Sequence, residues 1–402
     1  MKRFILMLLS LFVSISLAAC SNTDTSTSTA LTGTEAAVST APTKPNTEPT
    51  VPVTATDATE PNPVDLWIGN TIERRVLQHW NTDEIFTVTF LDTVTGAPED
   101  AIDVSLYDDR SVLGWMEDGN VYIAGEGGVN PAYCASYMFY GCTNLQSISF
   151  GSAFHTDQVE DMSWMFTGCR SLVDLDIKDW DVSCVTNTNS MFFGCYSIKT
   201  LDLSGWDTGS VTDMSYMFSD CTALTELNIA DWNTSSVTDM SLMFRGCESL
   251  TTLDLRSWNP GRVTDMSLMF AETKALETLD LPGWNTGAVT TMSSMFADSG
   301  LIELIATDWN TGAVTDMSDM FTRCSRLKSV YSGGWNTSNV TDMNEMFKNC
   351  VNLEMLDISS WDTEHMPDVR SVFFNCNSLD ELILGQRSSF LFSAWISENM
   401  RN

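Results

Sequence analysis

The sequence has little positive charge. Among 402 residues there are 20 lysines and arginines against 53 aspartates and glutamates, for a formal net charge of −33. Nucleic-acid binding depends on basic side chains that neutralise phosphates, so this composition excludes a nucleic-acid partner. Direct attraction to anionic lipid headgroups is disfavoured for the same reason.

Residues typical of catalysis are also scarce. The chain has only three histidines, His79, His155 and His365, which lie in unrelated sequence settings. It has no G-x-S-x-G or H-E-x-x-H motif, phosphate loop or dinucleotide fingerprint. Paired carboxylates are expected by chance in so acidic a chain and do not indicate a glycosidase. We therefore expect a protein that is not an enzyme and needs no cofactor. An envelope enzyme with its site in residues 64–133 stays open, because the repeat pattern constrains that region less.

Beyond the first residues no apolar run reaches the roughly 18 residues that would suggest a membrane span. The N-terminus itself, MKRFILMLLSLFVSISLAAC, has a basic tip, an apolar stretch and small residues before a cysteine, which is typical of a secretory signal. Its end, Leu17-Ala18-Ala19-Cys20, resembles the bacterial lipobox. That resemblance implies lipid attachment at Cys20 and a bacterial cell-surface protein that is extracellular and membrane-anchored. An ordinary cleaved signal with a chance cysteine is the alternative.

The composition divides the chain into five regions. Residues 1–19 read as the signal peptide, and residues 20–63, rich in Thr, Ser, Ala and Pro, as a disordered stalk. Residues 64–133 alternate like short strands and predict a small β-rich N-terminal cap. Residues 134–387 hold a repeat, and the apolar tail 388–402 predicts the opposite cap.

The repeat is marked by tryptophans that recur at steps of about 26 residues, a period typical of repeat architectures. They are Trp180, Trp206, Trp232, Trp258, Trp284, Trp309, Trp335 and Trp361. Met-Phe pairs, from Met138-Phe139 to Met346-Phe347, keep the same step and continue as Val372-Phe373. These positions define about ten units, each about 25–27 residues long. A unit approximates W-[ND]-T-x-x-V-T-D-M-S-x-M-F-x-x-C-x-x-L-x-x-L-D-L.

Two periods occur within a unit. Met214, Met217, Phe218 and Cys221 fall at i, i+3, i+4 and i+7, which predicts a short amphipathic helix. A capping residue precedes each such stretch: Asp161, Asn187, Asp213, Asp239, Asp265, Thr291, Asp316, Asp342 or Asp368. The Leu201-Asp202-Leu203 stretch alternates and predicts a strand. The units therefore predict an α/β solenoid with a parallel sheet on one face and short helices on the other.

The L-x-x-L-D-L element resembles leucine-rich repeats, and the whole unit resembles the repeat of bacterial BspA-like leucine-rich repeat surface proteins. The resemblance covers about residues 134–387, and residues 64–133 resemble the segment that precedes the array in such proteins. It implies a right-handed leucine-rich-repeat-like coil and an adhesive or ligand-binding role at a cell surface.

Residues that occupy the same position in successive units form columns of side chains, and several of these columns allow two interpretations. Eight cysteines share one repeat position, where Thr273 and Ser299 also occur, and we interpret them as free buried thiols rather than disulfides: Cys142, Cys169, Cys195, Cys221, Cys247, Cys324, Cys350 and Cys376. Cys134 and Cys184 lie off this column, and no partner is predicted for them. The methionines predict core packing rather than a soft-metal site. The tryptophans predict a stacked core spine rather than an exposed sugar platform.

The outward strand position is the candidate binding surface. It holds Asp176, Asp202, Asn228, Asp254, Asp280, Ile305, Tyr331 and Asp357, followed by Ile383. A row of adjacent like charges favours hydration, cations or a basic partner. Calcium bridging is conceivable, but no EF-hand pattern occurs and no metal site is predicted. The row is either a solvated face or a recognition surface for a protein or glycan. The corresponding functions are a monomeric adhesive lipoprotein or a structural envelope spacer without a dedicated ligand.

Overall fold

The structure, a computed structural model, describes residues 71–72, 75–281, 283–362 and 372–385. The predicted signal peptide, the stalk, Cys20 and the C-terminal cap 388–402 lie outside the described residues. The described chain holds two short 3₁₀ helices and twelve strands. The 3₁₀ helices are Val76–His79 and Thr82–Glu84. The strands are β1 Thr87–Leu91, β2 Ile102–Asp103, β3 Val112–Glu117, β4 Asn120–Gly125, β5 Ser147–Ser149, β6 Asp174–Leu175, β7 Thr200–Asp202, β8 Glu226–Asn228, β9 Glu303–Ile305, β10 Ser329–Tyr331, β11 Met355–Ile358 and β12 Glu381–Leu384.

The strands before the repeats join directly to the first repeat strand. Strands β2, β3 and β4 pair antiparallel, and β1 then pairs parallel with both β4 and β5. Thr87 of β1 lies opposite Ser147 of β5, which is the strand of the first unit. Residues 87–125 thus cover an edge of β5 that would otherwise be open to pairing.

The repeat strands form three separate parallel groups rather than the single sheet that the alternation predicted. Strands β5 and β6 extend the N-terminal sheet, β7 pairs with β8 alone, and β9 to β12 form a four-stranded sheet. Between β8 and β9 the described residues contain no named strand, although Leu253, Leu255, Leu279 and Leu281 are still buried. Three-residue strands make few ladder hydrogen bonds. Burial of the leucines therefore maintains the layer even where strand pairing is lost.

The prediction of short helices on the face opposite the strands is wrong. In residues 211–221 the amides of residues 214, 216, 218 and 220 donate to carbonyls of the following unit, with N···O distances of 2.7–3.1 Å. The amides of residues 217, 219 and 221 donate three residues back within their own unit, closing successive turns. Tyr216 and Asp220 have left-handed φ values of 58° and 59°. An α-helix would need every amide to donate four residues back, which this arrangement prevents.

Consecutive turns nevertheless bury the residues that the helical pattern selected. Met214, Met217, Phe218 and Cys221 are all buried, because tight turns, like a helix, return side chains to one face every three or four residues. One sequence signal against a helix was present. Glycine precedes the column cysteine at Gly141, Gly168, Gly194 and Gly246, and all four have positive φ, as expected where the backbone turns left-handed.

The residues that were predicted to cap helices accept hydrogen bonds in turns instead. The Asp213 carboxylate accepts a hydrogen bond from the Ser215 amide at 2.9 Å, and equivalent bonds occur at the other described positions from Asp161 to Asp342. These capping residues also form parallel bridges with their counterparts in neighbouring units, without a gap from Cys134 to Asp342. The capping chemistry is as predicted, but it stabilises a turn beside a parallel bridge. Asp368 lies outside the described residues.

The core consists of columns of identical side chains. Neighbouring rings of the phenylalanine column, from Phe139 to Phe373, have centroids 5.0–5.8 Å apart and planes within 12° of parallel. The repeat tryptophans are at most 8% exposed, and five adjacent pairs stack at 5.9–6.3 Å. The methionine column is equally buried. These columns are core, as predicted, and the tryptophan spine offers no exposed ring faces.

The cysteine column is buried and hydrogen-bonded. The thiols of the column are free, and they are buried except for the half-buried Cys376. From Cys169 to Cys376 each column thiol lies 2.9–3.2 Å from the carbonyl oxygen of the phenylalanine in the preceding unit. Burial raises the pKa of Cys142 and of Cys221 to about 12. Thiols whose pKa is raised in this way are neutral and unreactive at physiological pH.

Candidate binding surface

The outward strand position holds side chains that contact solvent and contribute little to the core. Asp176, Asp202, Asn228, Asp254, Asp280 and Ile305 are exposed, while Tyr331 and Asp357 are half-buried. Strand pairing brings some of them side by side. Asp202 lies opposite Asn228, and Tyr331 lies between Ile305 and Asp357. Because β8 and β9 do not pair, the row consists of an acidic part and a separately paired part around Tyr331.

The aspartates of the row have a local structural role as well. Asp202, Asp254 and Asp357 each accept a hydrogen bond from the amide two residues later, at 3.2, 3.2 and 2.9 Å. Such a bond closes the turn that follows the strand. Part of the preference for aspartate at this position therefore comes from turn formation and needs no ligand.

Local bonds keep two of these carboxylates, those of Asp202 and Asp254, ionised. Hydrogen bonds from Ser204 lower the pKa of Asp202, and Asn228, which donates to it at 3.0 Å, and nearby Lys178 contribute further. The Arg256 guanidinium and amide hydrogen-bond Asp254 and lower its pKa to about 2. Asp202 and Asp254 therefore carry negative charge throughout the physiological pH range.

A sizeable pocket lies at the start of this row. It has a volume of about 740 Å³ and is bounded by residues of β5 and β6, by most of residues 150–157, and by Asp176, Ile177 and residues 179–181. Its lining includes five aspartates and neither lysine nor arginine: Asp157, Asp174, Asp176, Asp179 and Asp181. Hydrogen bonds from Ser183 lower the pKa of Asp181. We refer to this cavity as the acidic pocket.

Aromatic side chains form the floor of the acidic pocket. Phe150, Phe154 and Trp180 pack together with ring centroids 4.8–5.4 Å apart. Phe154 takes the place that tryptophan has in later units, five residues before the buried valine. His155 is not free to bind at the rim, because its Nε2 lies 3.0 Å from the Gly127 carbonyl oxygen. The pocket therefore combines a largely covered apolar floor with an acidic, hydroxyl-bearing rim.

Of the pocket residues, the sequence pattern placed Asp176 on the outward row and Trp180 in the core. The lining comes from residues 147–157 of the first unit and residues 174–181 of the next. The first unit contains one additional residue, since Cys142 and Cys169 are further apart in the chain than Cys169 and Cys195. That irregularity and the acidic run from Asp174 to Asp181 were the available signals. A shallower pocket of about 450 Å³ lies on the outward face of β7 and β8 and includes Asp202, Glu226 and Asn228.

Among the described residues, no group of three or more His, Cys, Asp or Glu side chains is placed to hold a metal ion. No helix among the described residues has the length and apolarity needed to cross a membrane.

Stacked units joined by parallel bridges between equivalent positions define a tandem-repeat protein. The chain belongs to the family described as Mycoplasma protein of unknown function, DUF285. The family model matches residues 134–228, 194–304, 223–331 and 298–390.

Solved structures with some likeness are bacterial repeat proteins. A leucine-rich repeat protein from Bacteroides ovatus is 17% identical with a TM-score of 0.42, over 76% of this chain and 70% of that one. A leucine-rich cell surface protein from Faecalibacterium prausnitzii is 17% identical with a TM-score of 0.35, over 77% of this chain and 89% of that one. At these values the likeness supports no conclusion about function. None of the curated proteins compared with the chain matches it.

Proposed function

We propose that the chain is an exported bacterial surface protein, held by lipid on Cys20, that presents a BspA-like leucine-rich repeat solenoid to bind a protein or glycan. The N-terminal sequence supports export and anchoring, and the repeat supports the architecture. The contact surface is the row of Asp176, Asp202, Asn228, Asp254, Asp280, Ile305, Tyr331 and Asp357.

One observation carries the proposal. The inward columns keep the same residue in nearly every unit, whereas the outward row changes from aspartate to Ile305 and Tyr331. The Ile305 side chain is 60% exposed, so packing within the chain does not account for an apolar residue there. Ile305 lies directly opposite Tyr331 in the paired strands, and aromatic residues are enriched at interaction surfaces. The alternative, a structural spacer without a ligand, leaves this change unexplained.

The test is a binding screen of the full chain against extracellular-matrix proteins, mucins and a glycan array, at physiological salt, with and without calcium. We expect saturable binding to at least one target at micromolar affinity or tighter. Ile305→Asp combined with Tyr331→Asp is expected to weaken that binding about tenfold or more. The matched control combines Val173→Asp with Leu106→Asp, two exposed apolar residues off the row.

Two results would contradict the proposal. If the folded chain binds nothing in the screen, the spacer function is favoured. If both double variants retain wild-type affinity, binding occurs but the outward row is not the surface. Thermal unfolding of each variant, with midpoints close to wild type, shows that the comparison is made between folded proteins.

A further inference from the structure

The acidic part of the outward row and the acidic pocket form one strongly negative region. Asp174 of β6 and Asp176 just after it line the pocket, and Asp202 and Glu226 follow on the next two strands. Lys178 is the base that interacts with Asp202, and Arg256 pairs with Asp254 at 2.6 Å. Neither base lines the acidic pocket. The pocket lining therefore carries five carboxylates and no basic side chain, which favours a cationic ligand.

The shape of the acidic pocket suits a long cationic side chain. Lysine and arginine bury an apolar stem while their charged end contacts polar groups. Here the edges of Phe150, Phe154 and Trp180, which are 3–8% exposed, leave a narrow apolar strip beneath carboxylates and serine hydroxyls. Its volume of about 740 Å³ also leaves room for flanking backbone.

The pocket lining and the composition of the outward row favour a protein partner over a glycan. Sugar recognition commonly uses exposed aromatic faces, and the aromatic rings of the pocket are at most 8% exposed. The outward row continues, after the acidic part, to Ile305 and Tyr331, which would contact apolar side chains. A basic peptide segment with an apolar residue combines the two chemistries that the row displays.

We propose that the acidic pocket receives a lysine or arginine side chain from a basic segment of a protein partner that docks along the outward row. This inference rests on the proposed function and names the class of its ligand. The neighbouring acidic strands β7 and β8 provide further attraction for basic residues of the same segment.

The experiment measures binding of a fluorescent oligolysine peptide to the full chain by anisotropy, with an oligoglutamate peptide as the negative probe. The pocket variant combines Asp174→Asn, Asp176→Asn and Asp179→Asn. The control variant combines Asp92→Asn, Glu99→Gln and Asp118→Asn, three exposed acids outside the pocket whose removal changes net charge equally. We expect the pocket variant to bind oligolysine about tenfold more weakly, and the control less than about twofold.

Three results would overturn the inference. Equal weakening in both variants would mean that oligolysine senses only the overall charge. Unchanged affinity in the pocket variant, shown to be folded by its thermal unfolding, would exclude the pocket as the site. Failure of the wild-type chain to bind oligolysine while it binds a glycan or neutral protein would reject the basic partner and leave the proposed function intact. No binding to any probe would reject both.

Discussion

Residues at the inward Met, Phe and Trp positions hardly change from unit to unit, whereas residues at the outward strand position change from aspartate to isoleucine and tyrosine. The inward side chains stack on their own copies, so any change affects packing in two neighbouring units. An outward side chain has no such constraint. Variation along the array therefore marks the positions that packing leaves free to change.

The half-buried column of capping residues, from Asp161 to Asp342, is intermediate between the inward and the outward positions. Its carboxylates accept turn hydrogen bonds, as a structural residue should, yet adjacent ones repel each other. Asn187 and Thr291 interrupt the column, so that the described part has no more than three consecutive aspartates, Asp213, Asp239 and Asp265. Burial raises the pKa of Asp239, the middle member, and its two neighbours raise it further.

Inward and outward positions should differ most in the stability that is lost when a side chain is truncated to alanine. Phe244 is fully buried, with ring centroids 5.8 and 5.6 Å from Phe218 and Phe270. We expect Phe244→Ala to lower the free energy of unfolding by about 3–5 kcal/mol, because it leaves a cavity within the stack. Urea denaturation of the full chain followed by tryptophan fluorescence measures it.

The outward control for that experiment is Ile305→Ala. Its effect should remain within about 0.5 kcal/mol, since the side chain is mostly exposed. A similar loss in the two variants would show that Ile305 supports the fold and would weaken its assignment to a binding surface.

The rate of thiol alkylation should distinguish buried from exposed cysteines. Cys221 is buried with its pKa raised to about 12 by burial, whereas Cys184 is exposed. We expect an alkylating reagent to label Cys184 at least about a hundredfold faster than Cys221 in the folded protein. Peptide mapping by mass spectrometry reads out both rates. Comparable labelling rates would mean that the cysteine column opens readily to solvent.

The smallest effect concerns the capping column. Because the folded-state pKa of Asp239 is raised, its ionised form costs stability, and this cost disappears as the pH falls through that pKa. We expect Asp239→Asn to stabilise the protein at pH 7 by less than about 1 kcal/mol, with the gain vanishing towards about pH 4. Asn187 shows that asparagine retains the turn bond in this column.

Asp254→Asn is the contrasting variant for the pH series. Arg256 lowers the pKa of Asp254 to about 2, so its ionised form stabilises the fold at pH 7 and this contribution declines as the pH falls towards 2. We expect a small destabilisation at pH 7, below about 0.5 kcal/mol because the pair is exposed. Thermal unfolding across this pH range should show opposite signs for the two variants, and equal signs would contradict the assignment of repulsion to Asp239.

Residue spacing was sufficient to predict the units, their buried columns and the outward row. A position that recurs once in every unit lies on the same side of each stacked unit, whether its local backbone is a helix, a strand or a turn. The candidate surface was predicted in the same way, since alternation places Asp202 outward and Leu201 inward regardless of how many strands pair. The acidic pocket was missed because it forms where the first unit departs from the pattern.

By itself the sequence determined which residues are core, which cap a turn and which face outward, because these depend on apolar periodicity and side-chain chemistry. Only the tertiary structure decided that the Met-Phe stretch is a series of turns. The difference between a helix and turns depends on contacts between units, because alternate amides donate to carbonyls of the next unit instead of to carbonyls of their own unit. It also decided where strand pairing stops and that one additional residue in the first unit helps to form a pocket, since both depend on how neighbouring layers meet.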